Sequence, residues 1–188
     1  MISLFDVVYD VNTSGPGSRT EVFFAGCSKA MSGKHCKHCF NTKLWNIKNG
    51  KKTTAHELSE HILNNTTGDV CNVTFCGGEP TDQLTNLITT CKLLKNSNRK
   101  TNILVYTYHN MDKLINKPDY RDLFLNIDLL VDGPYDERYR IYDNKSNNWV
   151  KRSIGSFNQR VYKINHHVVA QYDIDKNGDL KFNRKLVI

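Results

Sequence analysis

Three cysteines in the first quarter of the chain, Cys27, Cys36 and Cys39, have the types and spacing to do chemistry. Cys36 and Cys39 form a C-x-x-C pair, and Cys27 lies nine residues upstream. Such a trio can form a disulfide, or a zinc site short of one ligand. It can also hold three irons of a [4Fe–4S] cube. Full ligation of that cluster takes four cysteines. A missing fourth ligand leaves a metal position open to substrate or cofactor, as it does in catalytic zinc sites. Cys76, at the end of an expected strand, is the other thiol that competes with Cys27 as first ligand.

Further motifs surround the trio. Asn12-Thr13-Ser14-Gly15-Pro16-Gly17-Ser18-Arg19 and the apolar run Val22 to Gly26 precede it, and Phe40, Asn41 and Trp45 follow it. Downstream come Gly77-Gly78-Glu79-Pro80, Val131-Asp132-Gly133-Pro134-Tyr135 and Ser156-Phe157-Asn158-Gln159-Arg160. Taken in chain order over about residues 5 to 162, these pieces resemble the radical S-adenosylmethionine superfamily. Within it they are most similar to the activating enzymes of anaerobic ribonucleoside-triphosphate reductase. The chain departs from the superfamily's C-x3-C-x2-C spacing. Eight residues, Ser28 to His35, separate Cys27 from Cys36. Each doubling of a loop adds only about 0.6 kcal/mol of closure entropy, so the longer loop is tolerable.

The resemblance implies a [4Fe–4S] cluster on Cys27, Cys36 and Cys39 and S-adenosylmethionine chelated to the open iron. One electron from the cluster would cleave the cofactor to methionine and a 5′-deoxyadenosyl radical. The cofactors carry that chemistry and the protein binds and aims them, so no general base is assigned. His38 would lie near the adenine, with Cys39 and Phe40 beside it. Gly77, Gly78, Glu79 and Pro80 would receive the methionine amino group, the glycines permitting close backbone approach. Asp132, and less directly Thr107, would bond the ribose or orient substrate; each serves equally as an ordinary strand-end cap. Asn158 and Arg160 match the family without an evident role. The implied partner is the large catalytic subunit of anaerobic ribonucleotide reductase, which would offer a glycine-bearing loop. The implied electron donor is a protein such as a flavodoxin.

Two other functions compete. One is a radical S-adenosylmethionine enzyme with a small substrate, of the deazapurine-synthase type. The other is a zinc-stabilised nucleic-acid-binding module, motivated by the C-x-x-C, His35, His38 and a basic tail. The net charge is +7, and residues 136–188 carry 11 Lys or Arg against 6 Asp or Glu. No helix-turn-helix, zinc-finger or RNP pattern accompanies that charge, so a nucleic-acid partner is not expected.

At 188 residues, with 39% hydrophobic and 24% charged residues, one globular domain is expected. No apolar run approaches the ~20 residues a membrane helix needs. Met1 to Asp6 lacks a basic, apolar leader pattern. Six cysteines without a secretory signal indicate a reducing compartment, the cytoplasm.

The elements that must position the motifs alternate. Strands are expected at 21–25, 70–75, 103–107 and 127–131, and helices at 54–62, 81–94 and 120–125. The second helix keeps Leu84, Leu87, Ile88, Cys91 and Leu94 at three- and four-residue spacing. Cys91, and Cys71 within its strand, read as core thiols. Alternation of this kind indicates an α/β fold with a parallel sheet. It suits the incomplete (β/α) barrel of the radical S-adenosylmethionine type that the resemblance implies, with a core over about 5–135. Cys27, Gly77, Thr107 and Asp132 all fall at strand ends, where α/β sheets bind ligands. Residues 136–159 are polar and aperiodic. A short antiparallel extension, over about 136–188, follows with strands at 161–164, 168–172 and 180–182. Asn177-Gly178 makes its hairpin turn. Asp173 to Gly178 has half of a calcium loop, but Arg184 replaces the closing Glu, which excludes calcium.

Overall fold

The computed structural model of the protein describes residues 1–97, 100–141, 143 and 145–188. Tyr142 and Asn144, inside the aperiodic stretch, lie outside that set. Among the described residues nine strands form one sheet: β1 (Ile2–Val11), β2 (Arg19–Phe24), β3 (Lys51–Thr53), β4 (Val70–Gly77), β5 (Lys100–Tyr106), β6 (Leu129–Asp132), β7 (Arg160–Asn165), β8 (Val168–Ile174) and β9 (Leu180–Val187). The α-helices are α1 (Ser28–Met31), α2 (Ala55–Asn65), α3 (Leu84–Lys95), α4 (Met111–Leu114), α5 (Pro118–Phe124) and α6 (Trp149–Ser153).

The strand order is β3-β1-β2-β4-β5-β6-β7-β8-β9. The central strands β2, β4, β5 and β6 run parallel, and β1, β3 and β7 to β9 pair antiparallel. The protein is therefore a mixed α/β structure built on one large sheet. The antiparallel extension continues this sheet, because β7 pairs directly with β6.

Period-2 alternation divides the central strands between two cores. Val22, Phe24, Val73, Phe75, Ile103 and Val105 face α2, α3 and α5. Leu104, Leu129 and Val131 face the other way, against Val150, Ile154, Val161 and Ile174. Cys71 and Cys91 are buried in the first core, as core thiols should be. The helix over α2 starts where its capping box requires, with Thr54 Oγ1 accepting from Glu57 N and Glu57 Oε2 accepting from Thr54 N. The expected 81–94 helix begins with a 3-10 turn, Pro80–Gln83, before α3.

The Gly15-to-Arg19 motif packs one end of the sheet. The buried Arg19 guanidinium donates to Thr74 Oγ1 (2.6 Å), Val73 O (2.7 Å), Pro16 O (3.1 Å) and both Asn102 oxygens. Gly15 has φ +140, and a Cβ there would lie 2.9 Å from Arg19 Cδ. The motif thus has a structural reason of its own. Among the described residues no helix is long and apolar enough to cross a membrane.

Candidate metal and cofactor centre

The cysteine arm leaves the carboxyl end of β2 and is tied down on both sides. Gly26 N donates to Leu44 O (2.8 Å) and Cys27 N to Trp45 O (2.9 Å), so the first cysteine is strapped to the segment after the last. The residue following Cys27, Ser28, donates from N and Oγ to the two Asp82 carboxylate oxygens at 2.6 and 2.8 Å. Asp82 lies in the 3-10 turn that opens at Pro80. At the other end Asn41 N donates to Cys39 Sγ (3.4 Å) and Asn41 Nδ2 to Gly77 O (3.1 Å). Both ends of the arm are therefore anchored to residues 77–82.

The extra residues between Cys27 and Cys36 form the one-turn helix α1 and a turn at Gly33. Cys36 and Cys39 are bridged by Cys39 N donating to Cys36 O (3.2 Å), and His38 between them has φ +56. All three thiols are free and half-buried. Burial raises the pKa of Cys27 and Cys36, and the Lys29 ammonium opposes the rise at Cys36. Among the described residues, however, no three His, Cys, Asp or Glu side chains converge closely enough to hold a metal ion as they stand. The donors fit an iron–sulfur cluster by type and neighbourhood: three thiols on one loop, with a cation beside them. Thiolates are the ligating form.

The other expected cofactor residues are engaged with the protein itself. Gly77 has φ +114, and a Cβ there would overlap Phe24 O and lie 2.6 Å from Phe24 N. A Cβ on Gly78 would overlap Gly26 O and lie 2.8 Å from Leu44 O. Gly78 N donates to Phe24 O, and Glu79 N to Gly26 O. Close backbone approach is real at both glycines, but here the approaching backbone is that of residues 24–26 and 44. Glu79 is buried, at 1% exposure. Its carboxylate accepts from Thr81 N (3.0 Å), Thr81 Oγ1 (2.6 Å) and Tyr108 N (2.8 Å). Burial pushes its pKa up to about 7 despite those donors. Pro80 takes the first position of the 3-10 turn, where its missing N–H costs nothing.

Asp132 is fully buried at the end of β6. It accepts from Met111 N (2.6 Å), from Arg160 Nε (3.0 Å) and Nη2 (2.6 Å), and from Tyr162 OH (3.2 Å). Arg160 also pairs with Asp112, which Arg184 approaches from β9. This supplies the role that the sequence left open for Arg160: it locks α4 to β6 and β7. Asn158 Nδ2 donates to Pro134 O (2.9 Å). Thr107 is buried, with its N donating to Val131 O and its Oγ1 accepting from His109 N. His38 and Phe40 are exposed, and the Phe40 ring lies 4.8 Å from that of Tyr135. His38 lines the cleft of about 540 Å³ that Cys36, Tyr135 and Asn158 also border.

Sequence reasoning missed Asp82 and the structural part of Asn41, the two side chains that clamp the cysteine arm. Asp82 had a legible signal, an acid two residues past the proline that opens a turn.

Residues 13–162 match the family model described as "4Fe-4S single cluster domain". The chain is 38% identical over 112 residues to a pyruvate formate-lyase-activating enzyme of Clostridium pasteurianum, covering 56% of this chain and 44% of that protein. The chain thus spans less than half the length of that relative. It is 22% identical over 139 residues to the anaerobic ribonucleoside-triphosphate reductase-activating protein of Enterobacteria phage T4, covering 71% of this chain and 81% of the relative. The protein of the same name from Pasteurella multocida is 27% identical over 160 residues, covering 82% of this chain and 92% of the relative. These relatives are of the activase kind that the motifs resemble. With its cysteine arm inside the matched span, the chain belongs to the 4Fe-4S single cluster domain family.

Proposed function

We propose that the protein activates a glycyl-radical enzyme, anaerobic ribonucleotide reductase, with a [4Fe–4S] cluster and S-adenosylmethionine. The observation that carries this reading is the doubly clamped cysteine arm: Asn41 bonded to Gly77 of the glycine pair and Ser28 bonded to Asp82 just beyond it. Relatives named as activating proteins of that reductase, matched over 81% and 92% of their length, support the choice of partner.

In this reading Cys27, Cys36 and Cys39 hold the cluster, and His38 and Phe40 bound the space for S-adenosylmethionine. When bound, cluster and cofactor supply the one-electron chemistry that removes a hydrogen atom from a glycine α-carbon of the partner. The chain's own residues hold and shield. Asp82 and Asn41 fix the two ends of the arm. Gly77 and Gly78 let that arm lie directly on β4. Asp132 and Arg160 keep the strand end rigid. The sheet acts as an incomplete barrel whose open mouth admits the glycine loop. A flavodoxin-like protein delivers the electron, and the reaction belongs to the cytoplasm.

The test is reconstitution without oxygen. Reduced protein, S-adenosylmethionine and anaerobic ribonucleotide reductase should give a glycyl radical by electron paramagnetic resonance, with one methionine released per cleavage. A radical on pyruvate formate-lyase but none on the reductase would move the target to the other class of relative. Cleavage accelerated by a small molecule, with no radical on either protein, overturns the activase reading.

A further inference from the structure

One half-buried acid has no place in the function argued above. Glu21 lies on β2 beside Cys76 of β4 and lines a cavity of about 370 Å³, within the usual size range of ligand sites. The cavity is walled by Phe23, Phe40 and Tyr106. Glu21 Oε1 accepts from Cys76 Sγ at 3.4 Å, and a thiol is a weak donor. Among the described residues Glu21 forms no ion pair. Arg19, two residues upstream, commits its guanidinium to Thr74, Val73 and Asn102 instead. Burial raises the Glu21 pKa, the mark of a carboxylate short of stabilising partners.

A second, separate observation lies in the wall of the same cavity. Ser14 lines the cavity at 2% exposure, and its Oγ has no hydrogen-bond partner. Its carbonyl accepts from Thr74 Oγ1 (2.8 Å), so the residue is held in place while its hydroxyl is left over. A buried hydroxyl without a partner is rare in folded proteins. A half-buried carboxylate, an unused hydroxyl acceptor and aromatic walls together select a positive ligand. The acid neutralises it, the hydroxyl accepts a hydrogen bond from it, and ring faces attract it. Phe40 already draws one guanidinium, with Arg140 5.6 Å from its ring centre.

We infer that this cavity binds a single organic cation, a guanidinium or alkylammonium group, between Glu21 and Ser14. Resting on the activase reading, the cation is a side chain of the partner segment that carries the glycine, and Glu21 is a specificity residue for that segment. Phe40 and Asn41, the two residues after Cys39, also line the cavity. A side chain held here would therefore position the segment next to the cysteine arm.

The test uses n-butylguanidinium and its neutral isostere n-butylurea, titrated calorimetrically into the reconstituted protein, and the KM for the reductase in the radical assay. Glu21→Gln keeps the shape and an acceptor for Cys76; Ser14→Ala removes only the unused hydroxyl. Wild type should bind the cation and not the urea. Glu21→Gln should bind it at least tenfold more weakly, Ser14→Ala a fewfold, and Glu21→Gln should raise the KM about tenfold with kcat little changed. If cation binding falls but the KM does not move, the site takes a free small cation and the partner assignment is overturned. If wild type and Glu21→Gln bind the cation equally, or neither binds it at millimolar concentration, the site itself is overturned. A wild-type protein that raises no radical defeats the activase reading alone, because the titration is read without the reductase.

Discussion

Gly78 leaves no room for a side chain, and what stands in the way is the protein's own backbone at Gly26 and Leu44. Those residues strap Cys27 to the chain after Cys39. Gly78→Ala should therefore lower both cluster content and thermal stability, by roughly 3 kcal/mol or more for a forced overlap with main chain. Iron per chain and a melting curve test this. Loss of S-adenosylmethionine affinity with a full cluster and an unchanged melt would mean that the glycine serves the ligand alone. The cysteines should separate in the same assay. Cys27→Ala, Cys36→Ala and Cys39→Ala should each lose iron, whereas Cys76→Ala and Cys91→Ala should keep it, because Cys76 faces Glu21 and Cys91 lies in the helix-facing core. Glu79 adds a pH signature. Its folded pKa, about 7, lies above the ordinary 4.5, so the folded state holds the proton longer than the unfolded chain. Stability should then fall as pH rises from about 4.5 to about 7, by roughly 3 kcal/mol from this group. Urea unfolding at pH 5 and pH 7.5 should show that slope in wild type and not in Glu79→Gln.

Asp132 acts at the level of elements. One carboxylate joins the start of α4, the end of β6 and two residues of β7. Asp132→Asn would leave Arg160 without its buried counter-charge, a change that costs about 3–5 kcal/mol when a buried pair is broken. Denaturant unfolding should show that loss, and Arg160→Met should recover part of it in the double variant. An Asp132→Asn protein of unchanged stability but weakened S-adenosylmethionine binding would restore the ribose role. The same residue shows where sequence reading stops. Its position at a strand end was legible from the Leu129-to-Val131 run, but its partners come from residues 111, 160 and 162, and periodicity carries no long-range pairing. Strands β4 to β6 and helices α2, α3 and α5 were legible because their apolar spacing is regular. Strand β1 was not, since Asp6 and Asp10 interrupt its pattern and two register shifts break its alternation against β2. Helices α1 and α6 have only four and five residues, too few to display a helical period. The cysteine trio and the glycine pair were visible as types and spacing. Their mutual clamps through Asp82 and Asn41 were not, because each is one hydrogen-bonding side chain among many polar neighbours.

At the scale of the whole molecule the charge of +7 is unevenly available. In the extension Arg138 pairs with Asp136, Arg140 with Glu137, Arg160 and Arg184 with Asp112, and Lys181 with Asp175. These five cations are neutralised locally, whereas the other Lys and Arg of the extension form no ion pair among the described residues. The loop between Cys27 and Cys36, and the C-x-x-C turn itself, carry Lys29, Lys34 and Lys37 with no acidic residue between positions 22 and 56. Lys29 is turned inward, donating to Lys34 O (2.6 Å) and lying over the Tyr108 ring. Lys34 and Lys37 are exposed and form no ion pair among the described residues. The lengthened cysteine loop is thus a source of positive field with no acid to offset it, and it stands at the rim of the cleft beside Cys36. Encounter with a protein that docks over this rim should be electrostatically assisted, and such assistance is screened beyond ~8 Å at physiological ionic strength. Lys34→Glu combined with Lys37→Glu should slow association with the reductase about tenfold at low salt and flatten its salt dependence. Lys176→Glu combined with Lys185→Glu, the same charge change in the extension, should have a much smaller effect. Stopped-flow association measured across an ionic-strength series checks both. Equal slowing by the two pairs would make net charge alone responsible, and no slowing by the first would remove the loop from the docking face.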